Sequence, residues 1–155
     1  MDGFEALAIA NAEFEQRLRL ITADDWSRAT PCTEWDVHDL VNHVIGGNVR
    51  HAMLLRGASA AEVDAKRSED HLGGDPVAAF ASTAQLLLTE FRTAGALSRQ
   101  VKHPIGDRSG EELLGMRIFD VTVHAWDLAC AIEADRMLEP MLVQRTLLEL
   151  TGRRP

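Results

Sequence analysis

Asp75-Pro76-Val77-Ala78-Ala79-Phe80-Ala81-Ser82-Thr83-Ala84-Gln85-Leu86-Leu87-Leu88-Thr89-Glu90-Phe91 carries the strongest periodicity in the chain. Its apolar positions, Val77, Phe80, Ala81, Ala84, Leu87, Leu88 and Phe91, with Ala94 beyond, recur every three or four residues and so line one face of a helix. Asp75 offers a side-chain oxygen to the orphan amides of a first turn. Pro76 occupies the first helical position, where its missing N–H costs nothing. The pattern predicts a helix over 76–98 with Phe80, Leu87 and Phe91 in the core.

The same logic extends in both directions. Downstream, a turn through His103–Arg108 is followed by Ser109 and, three residues on, Glu112, the spacing of a reciprocal capping box. Leu114, Ile118, Val121, Ala125, Leu128 and Ile132 then continue a helix over 110–133, with Ile118, Val121 and Leu128 in the core. Upstream, Asp36 with Asp39 opens a helix over 36–55 whose stripe is Val37, Leu40, Val41, Val44 and Ile45. A first helix over 3–22 buries Phe4, Leu7, Ala8, Phe14, Leu18 and Ile21 and leaves Glu5, Glu15, Arg17 and Arg19 on the remaining surface. Residues 56–74 form the one long connection, with a short helical turn through Ala60–Lys66. A short last helix over 139–150 starts near Pro140, and the chain stops abruptly on Arg153-Arg154-Pro155, as a shortened chain would. No segment alternates long enough to make a strand. The expectation is an all-α chain, a bundle of four long helices forming one domain over 1–155.

Composition narrows the function. With 155 residues, 46% apolar and 26% charged, the chain has the profile of a globular domain. A formal charge of −8 repels phosphate backbones and anionic lipid surfaces, so nucleic-acid and membrane partners are not expected. Two cysteines, no basic-then-apolar leader and no run of about eighteen apolar residues make a cytoplasmic location the expectation.

The chemistry-bearing residues gather on the last long helix. Asp120, His124 and Asp127 stand at i, i+4 and i+7 and share one face, where a carboxylate and an imidazole one turn apart can grip one divalent ion. His43, on the flank of the stripe of the second helix, can supply a third ligand from a facing helix. Spacing alone leaves this equally balanced with a flank whose Asp and His bond only to each other. Three protein ligands of this type leave an open position on zinc, a catalytic rather than a structural arrangement. Asp127 is a candidate outer acceptor for a ligating imidazole. Asn48 and His51, one and two turns beyond His43, are candidates for an adjoining cleft. Trp126 is read as packing against a neighbouring helix and Cys32 as a small buried contact in the connector. No phosphate-binding glycine loop, nucleophile elbow or cysteine-rich zinc module is present.

Two stretches carry a further signal: Thr30-Pro31-Cys32-Thr33-Glu34-Trp35-Asp36-Val37-His38-Asp39-Leu40-Val41-Asn42-His43-Val44 and Phe119-Asp120-Val121-Thr122-Val123-His124-Ala125-Trp126-Asp127-Leu128-Ala129. They closely resemble the metal-binding domain family of mycothiol-dependent maleylpyruvate isomerase, an actinobacterial branch of the DinB-like helical bundles. The resemblance implies a four-helix bundle of up-down-down-up order, with a divalent metal, commonly zinc, near one end. The family's first histidine matches His43, its carboxylate Asp120 and its second histidine His124. Where the isomerase has glutamate this chain has aspartate, one methylene shorter. The resemblance also implies a low-molecular-weight thiol such as mycothiol as cosubstrate, acting with a small molecule in thiol transfer or isomerisation. The full isomerase carries a second, C-terminal domain for which 155 residues leave no space, so maleylpyruvate isomerisation is not carried over. Self-association as a homodimer through an exposed apolar edge is a further expectation. The competing class is a non-catalytic interaction or regulatory protein with a structural metal or none.

Overall fold

Caps written into the sequence fix where each long helix begins. Asp2 and Glu5 exchange hydrogen bonds at the start of α1 (Gly3–Leu18). Asp36 and Asp39 do the same at α2 (Val37–Leu55), the Asp39 amide donating to Asp36 Oδ1 at 2.9 Å. Ser59 and Glu62 box the short α3 (Ala60–Asp64), and Asp75 with Pro76 opens α4 (Pro76–Phe91). Ser109 and Glu112 form the expected box at α5 (Gly110–Ala131), at 2.7 and 3.0 Å, and Glu139 caps α6 (Pro140–Leu150). The computed structural model describes residues 1–152, so the expectation attached to Arg153-Arg154-Pro155 lies outside the described residues.

Helix ends depart from the periodic reading because a stripe does not report where backbone amides find other partners. α1 stops at Leu18 rather than residue 22, and Asp25 instead takes the amide and hydroxyl of Thr22 in a turn. α4 stops at Phe91 rather than residue 98, since Gly95 adopts a left-handed conformation (φ 77°) and starts a separate 3-10 turn over Ala96–Ser98. The turn expected over 103–108 lies inside a small antiparallel ribbon, β1 (Gln100–Val101) with β2 (Arg108–Ser109). Helices otherwise account for the regular structure among the described residues. None is long and apolar enough to cross a membrane.

The chain divides into two units. The first holds Met1–Val41 and the residues from Arg117 onward. In it Ala6, Leu7, Ala10, Phe14 and Leu18 of α1 are buried, as are Ile118, Val121, Ala125 and Leu128 of α5 and Leu142 of α6. Arg17, expected on the solvent face, is instead 4% exposed. Its guanidinium donates to the carbonyls of Asp135 (2.8 and 3.1 Å), Met137 (3.0 Å) and Glu13 (2.9 Å), and pairs with the Glu13 carboxylate. A planar cation with five donors can satisfy several carbonyls at once, which is what makes its burial tolerable.

The second unit spans Asn42–Met116. Its buried apolar side chains include Leu54 and Leu55 of α2, Val63 of α3, Phe80, Leu87 and Phe91 of α4, Val101 and Leu113. Asn48 of α2 is buried and donates to Thr83 Oγ1 at 3.1 Å, and Arg56, the residue after α2, pairs with Glu90 at 2.7 Å, so this stretch is tied to α4 at two levels. Gly110 is a steric requirement. Its amide donates to Arg99 O at 2.8 Å, and a Cβ there would stand 2.0 Å from the carbonyl oxygen of Ala96.

Candidate metal centre

The site is built in the first unit, on the stretch of α5 from Arg117 to Asp127 and on the loop leading into α2. Helical spacing brings His124 between two carboxylates. Its Nε2 lies 3.2 Å from Asp120 Oδ1 and its Nδ1 lies 3.0 Å from Asp127 Oδ2. His124 and Asp127 are buried, at 8% and 4% exposure. Arg117, one turn before Asp120 and fully buried, donates from Nη1 to the other Asp120 oxygen at 3.0 Å, fixing the carboxylate plane. Burial lowers the Arg117 pKa and the neighbouring Asp120 charge opposes that.

The loop is held by Thr30. Its hydroxyl donates to the carbonyls of Cys32 (3.0 Å) and Trp35 (2.9 Å) and accepts from the Cys32 amide (3.1 Å). This places the Trp35 ring 5.7 Å from the His124 ring and the Cys32 thiol 3.4 Å from Asp127 Oδ2. Burial, then the hydrogen bond to Asp127, pushes the Cys32 thiol up to about 11, so it stays protonated at neutral pH.

For His124, burial works against the charged ring, yet the hydrogen bonds and charges of Asp120 and Asp127 outweigh it and hold the imidazole at about 9. A folded-state pKa above the ordinary 6.5 stabilises the fold fully below about pH 6.5, and that contribution disappears as pH rises through about 9. Metal-free protein is therefore expected to lose stability between pH 7 and pH 10 in urea titrations. His124→Gln should flatten that slope, and an unchanged slope would contradict the assignment.

The donor set suits a metal. A nitrogen and an oxygen bound tetrahedrally to zinc stand about 3.3 Å apart, and Nε2 of His124 and Oδ1 of Asp120 are separated by 3.2 Å. A second group, Asp36, His38 and Asp39, lies at the start of α2, but His38 and Asp39 are exposed and the carboxylates serve the cap.

Residues 7–129 match the mycothiol maleylpyruvate isomerase N-terminal domain. The chain belongs to that family. Two uncharacterized proteins of Mycobacterium tuberculosis, from strains CDC 1551 and H37Rv, are each 33% identical over 147 residues, covering 95% of this chain and 76% of theirs. Among solved structures, a histidine-to-alanine variant of the mycothiol-dependent maleylpyruvate isomerase superposes with a TM-score of 0.72 at 18% identity, and the isomerase itself with 0.69 at 19%. Each likeness covers 95% of this chain and 68% of the other. The shared fold is an all-α helical bundle of the DinB-like kind.

In this member of the isomerase N-terminal domain family, the remaining sequence-derived candidates lie in the second unit. His43 stands on α2, where Arg50 donates to its carbonyl at 3.3 Å and approaches its Nδ1 at 3.5 Å. Asn48 is the buried donor to Thr83, and His51 donates from Nδ1 to Gly47 O at 2.8 Å, with its ring 6.4 Å from that of His103. Trp126, expected to pack against a neighbouring helix, is 43% exposed, because the face of α5 it occupies lies opposite the buried stripe. Two residues escaped the sequence reading. Arg117 had a local signal, a lone cation in the apolar run Leu113-Leu114-Gly115-Met116-Arg117-Ile118 three residues before Asp120. Cys32, read as a small buried contact beside a helix N-terminus, gave no sign of its partner, since Asp127 lies 95 residues away.

Proposed function

We propose that this chain is a divalent-metal enzyme, with zinc as the ion, that activates a low-molecular-weight thiol such as mycothiol for transfer to, or isomerisation of, a small substrate. His43, Asp120 and His124 are the proposed ligands. The observation that carries the reading is the Asp120–His124 pair, already spaced as one edge of a tetrahedral site. Membership of the isomerase N-terminal domain family supports it. A single bundle domain of up-down-down-up order, a cytoplasmic setting and a homodimer belong to the same proposal.

When bound, the ion would hold a thiol as thiolate at neutral pH. The protein's own groups set its orientation. Asp127 takes the Nδ1 hydrogen of His124, leaving Nε2 as the donor atom. Arg117 holds one oxygen of Asp120 and so presents the other, while its charge moderates the negative site. Trp35 shields the imidazole on the loop side.

A metal-free or structural-metal interaction protein is favoured by one feature: the Asp120–His124–Asp127 series is also a self-sufficient ion-paired helix flank. Zinc titration of chelator-treated protein separates the readings. The parent is expected to bind one ion. His43→Ala and Asp120→Ala should weaken binding by more than about tenfold, and Asp120→Glu should weaken it less, since it keeps the charge. Displacement of a bound probe by a small thiol indicates an open position. Binding unaffected by all three substitutions would sink the enzyme reading.

A further inference from the structure

We propose that Cys32, Asp127 and the Nδ1 edge of His124 form a second cation site, thiolate-containing and selective for soft ions such as cadmium. It shares His124 with the site proposed above and rests on that reading only in competing with it: it fills when the Nε2 edge holds no ion.

Two edges of a tetrahedral face are in place, both meeting at Asp127. Sulfur and carboxylate oxygen bound to one zinc-sized ion stand about 3.5 Å apart, and imidazole nitrogen and carboxylate oxygen about 3.3 Å. Cys32 Sγ and Asp127 Oδ2 are 3.4 Å apart, and His124 Nδ1 and Asp127 Oδ2 are 3.0 Å apart. All three donor atoms lie within 4.8 Å of one another. Both carboxyl-terminal partners sit on consecutive turns of one rigid helix, and the cysteine sits in a loop pinned by Thr30 through three hydrogen bonds. Little rearrangement is needed to admit an ion.

The imidazole is equipped for either use. A ligating histidine needs an acceptor for its other N–H. With the ion on Nε2 that acceptor is Asp127, and with the ion on Nδ1 it is Asp120, 3.2 Å from Nε2. A neutral ring cannot serve both edges, so the two sites exclude each other. Filling the new one forms a sulfur–metal, a nitrogen–metal and an oxygen–metal bond in place of water ligands of the ion, and releases the Cys32 thiol proton, and the Nδ1 proton where present, to solvent. No electron is transferred. Thiolate ligation favours soft ions, whereas nitrogen and oxygen donors alone do not.

Cadmium titration of the chelator-treated full chain tests this, reading the thiolate-to-metal charge-transfer absorption. The parent should develop the band to one equivalent. Cys32→Ser, nearly isosteric, should lose the band and bind cadmium more weakly by at least about tenfold, and Asp127→Asn should weaken it similarly. Cys130→Ser should keep the band. His43→Ala should also keep it, even where the same variant loses zinc, so failure of this site and failure of the proposed enzyme site are read separately. A band that survives in Cys32→Ser, or a parent that never shows one, overturns the proposal.

Discussion

The His124→Ala protein is expected to lose stoichiometric zinc binding, with affinity down by more than about 100-fold, while its helical content stays that of the parent. His124 is flanked by both carboxylates on α5, so its removal takes a nitrogen donor from either edge at once. The helix itself should persist. Alanine is the strongest helix former, and Ile118, Val121, Ala125 and Leu128 keep their buried stripe. Zinc titration together with far-ultraviolet circular dichroism reads both halves of the expectation. Parental zinc affinity in this variant would show that the His43, Asp120 and His124 set does not hold the ion, and the thiol-enzyme reading would fall with it.

The second large effect belongs to the fold. Phe91 ends α4 at 1% exposure, and truncation to alanine removes a ring from a site with little room to collapse. The expected cost is about 3–5 kcal/mol, measured as a shift in the urea midpoint. Leu87→Ala, one turn earlier and equally buried, should cost about 2–5 kcal/mol. Shifts below about 1 kcal/mol in both would mean that this face of α4 is not core.

What could be read from the sequence was whatever is local. Caps at Asp36, Asp75 and Ser109 depend on residues three apart, and they stand where the spacing placed them. The apolar stripe through Phe80, Leu87, Phe91, Ile118, Val121 and Leu128 is equally local in origin, and all six are buried. The Asp120–His124–Asp127 series followed from helical geometry alone. The losses came where a distant segment supplies the partner. Arg17 looks like a solvent-facing cation until residues 135–137 bring their carbonyls to it. Cys32 looks inert until Asp127 arrives from the far end of the chain. Helix ends at Leu18 and Phe91 fell short because a turn at Thr22–Asp25 and a left-handed Gly95 interrupt stripes that would otherwise continue.

The two glycines of α5 carry opposite evolutionary freedoms. At Gly110 the backbone of Ala96 occupies the space a side chain would need, so every alternative residue forces the start of the helix away from the segment before it. Five residues later, Gly115 has nothing within 4 Å of where a Cβ would go. Drift at position 110 should be purged, while position 115 is open to alanine, which suits a helix interior better than glycine does. A lineage or an engineer seeking a sturdier version of this chain would leave the first alone and begin with the second.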